Sequence, residues 1–345
     1  MARAPVTIAD LYDAIPADLR VQLARAGPEG ASTPVVDATH DSRRVTPGSL
    51  FVCVTGAESD GHRFAPEALA AGSVGLLVER ELELDVPQMV VTDSRRAHGH
   101  VAAAVHRHPA ASLTTVGVTG TNGKTTTTHL LAAALRGAGR DVAVVGTLSG
   151  TRTTPEASDL QRTLAVMRDR GTDTVVMEVS SHALALHRID GMRVDAAVFT
   201  NLGRDHLDHH DSMEDYFRAK ARLFTPALAA IGIVNADDAH GRLLLDVGEV
   251  PIHPFHLADA TDVRVGPGEH RFRWRDREVV VPLGGDVNVM NSLAALTTCH
   301  ALDVDLDRAV GGLASAEAVP GRFELVGVGL EHGFPVVVDY AHTPD

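Results

Sequence analysis

The chain has 345 residues, 44% of them hydrophobic, and a formal net charge of −14. That length predicts two or three domains, and the apolar content suffices for ordinary cores. The acidic balance excludes generic binding to nucleic acid or to an anionic membrane, while leaving room for a local basic pocket that takes a phosphorylated ligand.

The two cysteines, Cys53 and Cys299, stand far apart, which argues against a disulfide scaffold and fits a reducing cytosol. The N-terminal stretch has no apolar core like that of a signal peptide, and no apolar run is long enough to span a bilayer. A cytoplasmic α/β protein without membrane insertion is expected.

In chain order, residues 50–56 and 74–79 read as short buried strands, with a helix at 64–72 between them that Gly72 ends. Residues 89–93 form another strand, and 97–109 a helix stopped by Pro109. This small α/β unit closes near residue 110. A second series follows: strand 115–120, helix 124–136, strand 142–147, helix 158–170, strand 174–180, strand 195–201, helix 213–224 and strand 231–237. Strands alternating with helices imply a mostly parallel sheet covered on both faces. Residues 263–283 change to short alternating runs, expected as antiparallel strands, and a helix at 288–302 follows. Residues 335–345 read as a buried strand and the start of a turn. The fold class is α/β: a small N-terminal α/β domain (1–110), a P-loop-type central domain with a mostly parallel sheet flanked by helices (111–334), and the start of a C-terminal domain (335–345).

The run VGVTGTNGKTTTTHLLAAAL (116–135) carries the first chemistry. Gly120 and Gly123 bracket only two residues, so the match to the usual phosphate-loop spacing is partial. The physics is unchanged: glycines let backbone N–H groups close around phosphate oxygens, and the following helix offers its positive end. Lys124 supplies a point charge to the outer phosphates, and the Thr125 hydroxyl suits Mg²⁺. Glu178 ends a strand, where a metal beside such a loop needs a carboxylate. The run RDHLDHHDSMEDY (204–216) is dense in His and Asp. Its acids favour a hard cation over zinc, and most of it reads as solvated loop. Lys220 reads by itself as a surface lysine; buried and uncharged, it would instead be nucleophilic or open to modification.

The shortened loop GVTGTNGKTTTT (117–128) resembles that of the Mur ligases. The runs MEVSSHALALHRIDG (177–191), VFTNLGRDHLDHHDSMEDYFRAK (198–220), DSRRVTPGSLFVCVTG (41–56), PGRFE (320–324) and VDYAHTPD (338–345) resemble the MurE-type branch, UDP-N-acetylmuramoyl-tripeptide synthetases, from about residue 35 onward. The resemblance implies an ATP-dependent ligase of peptidoglycan precursor synthesis. It would phosphorylate the terminal carboxylate of UDP-N-acetylmuramoyl-L-Ala-D-Glu, then let diaminopimelate or lysine attack the acyl phosphate. Carried over by position, Gly120, Thr121, Asn122, Gly123, Lys124, Thr125 and Thr126 would cradle ATP. Thr125, Glu178, His206 and a carbamylated Lys220 would serve Mg²⁺, making Lys124, Lys220, His206 and Glu178 the catalytic set. Asn288 and Asn291 would lie near adenine, and Arg322 and Asp339 near the phosphates and ribose. Ser42 would contact the UDP end, and Thr153, Thr154, Ser180 and Arg188 the muramoyl-peptide.

Three positions depart from the family pattern. Arg152 stands where Asn is frequent, Val287 where Phe is usual, and His40 where an aliphatic residue is frequent. Mur ligases have a third domain that binds the amino acid and closes over ATP. This sequence reaches only its start, so activity is expected to depend on that domain. The alternative is a non-catalytic or split-enzyme binding protein for ATP and UDP-muramoyl-peptide, paired with a separately encoded C-terminal domain. Another Mur-type ligase, of the folylpolyglutamate or MurF kind, is a third reading that the Glu-Val-Ser-Ser-His and Asp-Ser-Arg segments disfavour.

Overall fold

A computed structural model describes residues 4–56, 59–150, 152–205, 209–326 and 335–341. The chain divides into two compact units. The first comprises residues 1–112, 155–170 and 186–192, and the second residues 113–154, 171–185 and 193–345.

The first unit is built on a five-stranded sheet in the order Arg20–Ala24, Gln88–Val91, Gly75–Val78, Ser49–Val52, Asp37–Thr39. Only the first pair is antiparallel. Its inner strands are apolar on both faces because both are covered. Leu50, Val52, Leu77 and Met89 pack with Ile8, Leu11, Ala97 and Val101, while Phe51, Cys53, Leu76 and Val78 pack with Ala65 and Ala68. The expected helix at 64–72 is a 3-10 turn, Gly61–Phe64, running into Ala65–Ala70. Gly72 follows at φ +103°, as a terminating glycine should. The helix expected at 97–109 is Ser94–Val105. It starts earlier because Asp93 caps it, accepting from Arg96 N at 2.9 Å. It also stops well before Pro109, since Arg107 and His108 both turn left-handed.

The second unit carries a six-stranded sheet, parallel throughout, in the order Ile252–Phe255, Ala229–Asn235, Val194–Phe199, Thr114–Thr119, Thr174–Glu178, Val142–Val145. Helices Lys124–Gly137, Val287–Ala301 and Leu306–Ala314 pack together beside it. Leu130, Leu131, Leu293 and Leu296 share one core cluster with Val116, Val118, Val198 and Ile233. The segment expected to be antiparallel is a three-stranded sheet, Thr261–Val265, His270–Trp274, Arg277–Val281. The run near residue 335 was expected to be buried; among the described residues Val336–Val338 pairs with Glu324–Val326 alone and is exposed along its length. Among the described residues no helix is long and apolar enough to cross a membrane.

Histidines held at low pKa by burial should make this fold acid-sensitive. His98 lies inside the first unit, with Nε2 hydrogen-bonded to the Ser158 hydroxyl. Burial, then the neighbouring His40 and Arg95 charges, push it well below the usual histidine value. Burial also lowers His40 and His100. Below about pH 6.5 the unfolded chain therefore binds protons that the folded chain refuses, and stability falls as pH falls. The thermal midpoint should drop between about pH 7 and pH 5, and less steeply in His98→Gln, which keeps a polar partner for Ser158 but does not titrate.

Candidate active site

The phosphate-binding loop sits where the parallel sheet delivers it. Strand Thr114–Thr119 lies between Val194–Phe199 and Thr174–Glu178, so the loop leaves the carboxyl edge of the sheet at its middle. Gly120 has φ +154° and Gly123 +83°. A Cβ on Gly120 would overlap the Thr200 hydroxyl, and one on Gly123 would stand 2.5 Å from Asn291 Oδ1. Glycine is therefore required at both ends of the turn. Thr200 Oγ1 donates to Asn122 O at 2.6 Å, and Asn122 N donates to Asn201 Oδ1 at 2.9 Å, which fixes the loop crest on the neighbouring strand end. No side chain caps the helix Lys124–Gly137 that follows, so its positive end serves the loop.

Lys124 Nζ folds back to donate to Gly120 O at 2.9 Å and Thr121 O at 2.7 Å. Burial holds its ammonium below the usual lysine range, opposed by the Glu178 and Asp205 carboxylates. Arg322 adds a further positive field at this lysine. The Arg322 guanidinium itself lies 4.7 Å from the centroid of the Tyr340 ring, and Asp339 Oδ1 accepts from Phe323 N at 2.8 Å.

Glu178 is buried at the end of its strand, in register with Val118. Its Oε2 accepts from Thr125 Oγ1 at 3.0 Å and Thr147 Oγ1 at 3.2 Å, and its Oε1 from Thr147 N at 2.8 Å. A side chain on Gly146 would fill the space the carboxylate occupies. A hydroxyl and a carboxylate held together beside a phosphate cradle form the all-oxygen donor set that a hard divalent cation takes.

Lys220 corrects its surface reading, being 1% exposed. Its Nζ donates to Gly120 O at 2.8 Å and lies 4.6 Å from the Tyr216 ring centroid. Burial and then the nearby Lys124 charge push it well below the usual lysine value. Both lysines thus reach the same loop carbonyl. His210 likewise departs from the solvated-loop reading: it is buried, with Nε2 3.0 Å from Ser181 Oγ, and packs on Tyr216. His206 lies outside the described residues.

Asn291 accepts from Thr127 Oγ1 at 3.1 Å and donates to Asn288 Oδ1 at 2.8 Å, joining the two asparagines to the loop helix. Thr154 Oγ1 donates to Glu178 O at 2.9 Å and accepts from Ser180 N at 3.0 Å, and Thr153 Oγ1 lies 3.0 Å from Thr147 Oγ1. Asn288, Asn291, Thr153, Thr154 and Ser180 therefore stand with the loop in the second unit. Ser42 and Arg188 belong to the first unit. Ser42 opens the turn Ser42–Arg44, capped by Asp41, whose carboxyl the Arg43 guanidinium holds down at about 2. Arg188 pairs with Glu156 at 2.7 Å.

Thr147, Tyr216, Thr200 and Glu156 were missed from sequence. Thr147 had a readable signal, since Gly146 and Thr147 directly follow the apolar strand Val142–Val145 at the same edge of the sheet as the loop.

Comparison with known proteins gives concordant matches. A family profile described as the Mur ligase middle domain matches residues 118–299, and one described as the Mur ligase family catalytic domain matches residues 37–121. The chain is 43% identical to the UDP-N-acetylmuramoyl-L-alanyl-D-glutamate–2,6-diaminopimelate ligase of Streptomyces avermitilis, covering 93% of this chain and 69% of that protein. It is 41% identical to the ligase of the same name from Geobacillus thermodenitrificans, covering 92% and 69%. A solved structure of a ligase so named aligns over 99% of this chain and 72% of its own, with a TM-score of 0.81 and 28% identity. A MurF ligase from Thermotoga maritima, solved in complex with ADP, aligns over 84% and 68% with a TM-score of 0.60 and 25% identity.

Proposed function

We infer the reaction from the premise these matches establish, that the chain belongs to the Mur ligase family. It is an ATP-dependent acid–amino-acid ligase of peptidoglycan precursor synthesis. It extends UDP-N-acetylmuramoyl-L-Ala-D-Glu by a third amino acid, which is diaminopimelate on the pattern of its relatives' names. The observation that carries this reading is the convergence on one loop of Lys124, the Thr125–Glu178 pair and the buried Lys220.

In the first step the terminal D-Glu carboxylate oxygen takes the γ-phosphoryl group and ADP leaves. In the second the amine of the incoming amino acid attacks the acyl phosphate carbonyl, an amide bond forms, and inorganic phosphate and a proton depart. The loop residues Gly120 to Thr126 wrap the phosphates with backbone N–H groups, and Lys124 neutralises charge on the outer ones. Asn288 and Asn291 seat adenine, and Arg322 and Asp339 the phosphate and ribose side. Ser42 binds the UDP end, while Thr153, Thr154, Ser180 and Arg188 orient the muramoyl-peptide. Thr125 and Glu178, with His206 and Lys220 as a carbamate, are assigned to Mg²⁺. When bound, that ion stabilises negative charge on the transferring phosphoryl group. Two buried free thiols support a cytoplasmic setting.

The test is phosphate release from ATP with Mg²⁺, UDP-N-acetylmuramoyl-L-Ala-D-Glu and diaminopimelate or lysine, each omitted in turn. Release that needs the UDP-dipeptide and diaminopimelate is expected. Binding of ATP and UDP-dipeptide without release would favour the binding-protein or split-enzyme alternative. Failure to bind the UDP-dipeptide would sink the substrate assignment.

A further inference from the structure

Arg188 sits on a short turn, and a turn by itself does not fix a guanidinium. Two features of the first unit do so, and both come from the helix Ser94–Val105. The first is a backbone crossing. A Cβ on Gly99 would overlap the Asp190 carbonyl, and a Cβ on Gly191, at φ +85°, would overlap the Gly99 carbonyl. Two glycines thus let the helix backbone and the turn backbone touch, and neither obstruction is a flexible side chain. The turn is closed on itself by His187 Nδ1 at 2.8 Å from Asp190 Oδ2, with His187 left-handed at φ +54°. The second feature is an ion-pair relay. Glu156 Oε1 is 2.7 Å from Arg188, and its Oε2 is 3.9 Å from Arg95, one turn before Gly99 on the same helix. The Glu156 and Arg188 side chains are each only 11% exposed.

We propose that the helix Ser94–Val105 positions Arg188 for the muramoyl-peptide substrate, with Gly99 setting the depth of the turn and Arg95, through Glu156, setting the direction of the guanidinium. This rests on the assignment of Arg188 to that substrate made above. Glu156 is shared between the Arg188 and Arg95 guanidiniums, so it is not committed to Arg188 alone and can orient it while the guanidinium stays attractive to the carboxylates of an anionic peptide. A side chain at position 99 would push the turn away by a distance on the order of 1 Å, enough to matter for an oriented contact. Gly99, Arg95 and Glu156 are positioning residues in this scheme, since each acts through Arg188.

The test is calorimetric binding of UDP-N-acetylmuramoyl-L-Ala-D-Glu to the full chain, with ADP as the second ligand. Gly99→Ala should raise the Kd for the UDP-dipeptide about tenfold or more and leave the Kd for ADP unchanged. In an Arg188→Ala background, Gly99→Ala should have no further effect, because the residue it displaces is gone. A general loosening of the fold would instead weaken both ligands and add to Arg188→Ala. Unchanged UDP-dipeptide binding in Gly99→Ala, or full additivity in the double variant, overturns the proposal. Should Gly99→Ala fail to melt cooperatively, Glu156→Gln replaces it. That variant leaves the backbone crossing intact and must show the same selective, Arg188-dependent loss; wild-type affinity there is fatal to the relay. Arg188→Ala alone separates the two readings. If it leaves UDP-dipeptide affinity intact, the assignment of Arg188 to substrate fails and takes the proposal with it. If it weakens affinity while Gly99→Ala and Glu156→Gln do not, only the positioning role fails.

Discussion

Lys124→Met is expected to lower ligase turnover by about 10²–10³, the scale on which a single charge-stabilising donor contributes to a transition state. The change keeps an unbranched side chain of similar length and removes the ammonium. An ammonium has three donors, and two are committed to Gly120 O and Thr121 O. Loss of the side chain's charge therefore acts twice, on the phosphate that the third donor would meet and on the curvature of the loop. Lys124→Arg should fail nearly as badly, because a planar fork does not fit between two carbonyls set for a point charge. Stability should be much less affected. The folded-state pKa of Lys124 lies below 10.5, so between that value and 10.5 the unfolded chain binds more protons and stability rises with pH. Relative to a neutral amine the charged lysine is disfavoured in the fold at neutral pH, which offsets part of the cost of losing its two loop hydrogen bonds, so the thermal midpoint should change far less than turnover. Phosphate release and a melting curve on the same preparation check both halves. Wild-type turnover in Lys124→Met would end the phosphate-neutralising role.

The contrast between function and stability at this lysine also explains what the sequence could display. Apolar strands ended by glycine, threonine or a carboxylate were readable, because burial on both faces of a parallel sheet demands continuous hydrophobic runs. Thr114–Thr119, Thr174–Glu178 and Val194–Phe199 therefore lay close to where their composition put them. Ile252–Phe255 was not seen, since it contains Pro254; it is an edge strand, where a missing N–H is tolerated. Helix Leu306–Ala314 was overlooked although Asp305 caps it, accepting from Asp307 N and Arg308 N. Ile8–Ala14 has a capping box at Thr7 and Asp10, but its seven residues are too few for a clear period. Within the site, the loop, Thr125 and Glu178 were legible from local chemistry. The burial of Lys220 was not, because a lysine on a helix rich in charged residues looks solvated until the sheet edge it faces is known. Glu156 was hidden for the same reason: its partners, Arg95 and Arg188, are remote in sequence.

Lys220 carries the other large effect. Its amine is almost fully buried, its pKa is pushed well below the lysine range by burial and by Lys124, and its hydrogen-bond partner is a neutral carbonyl, Gly120 O. A neutral amine is a nucleophile toward carbon dioxide: the N–C bond forms, one proton leaves, and the product is an N-carboxylate anion. The resulting anion attracts the Lys124 ammonium, which a protonated Lys220 would repel. The remaining carbamate N–H can still donate to Gly120 O. Isotopically labelled bicarbonate should therefore give a single carbamate carbonyl signal in the intact protein, absent from Lys220→Met. At fixed dissolved carbon dioxide, labelling should rise with pH through the lowered folded-state pKa, since only the neutral amine reacts. Turnover in Lys220→Met should fall by about 10² or more, as for other losses of a preorganised charge beside a phosphoryl group. In Lys220→Ala, which opens space for a small guest, formate or acetate should restore part of the activity by supplying the missing anion. A labelled signal that survives in Lys220→Met would place the carbamate elsewhere. Wild-type turnover in that variant would show that Lys220 serves the loop only as a structural donor to Gly120 O.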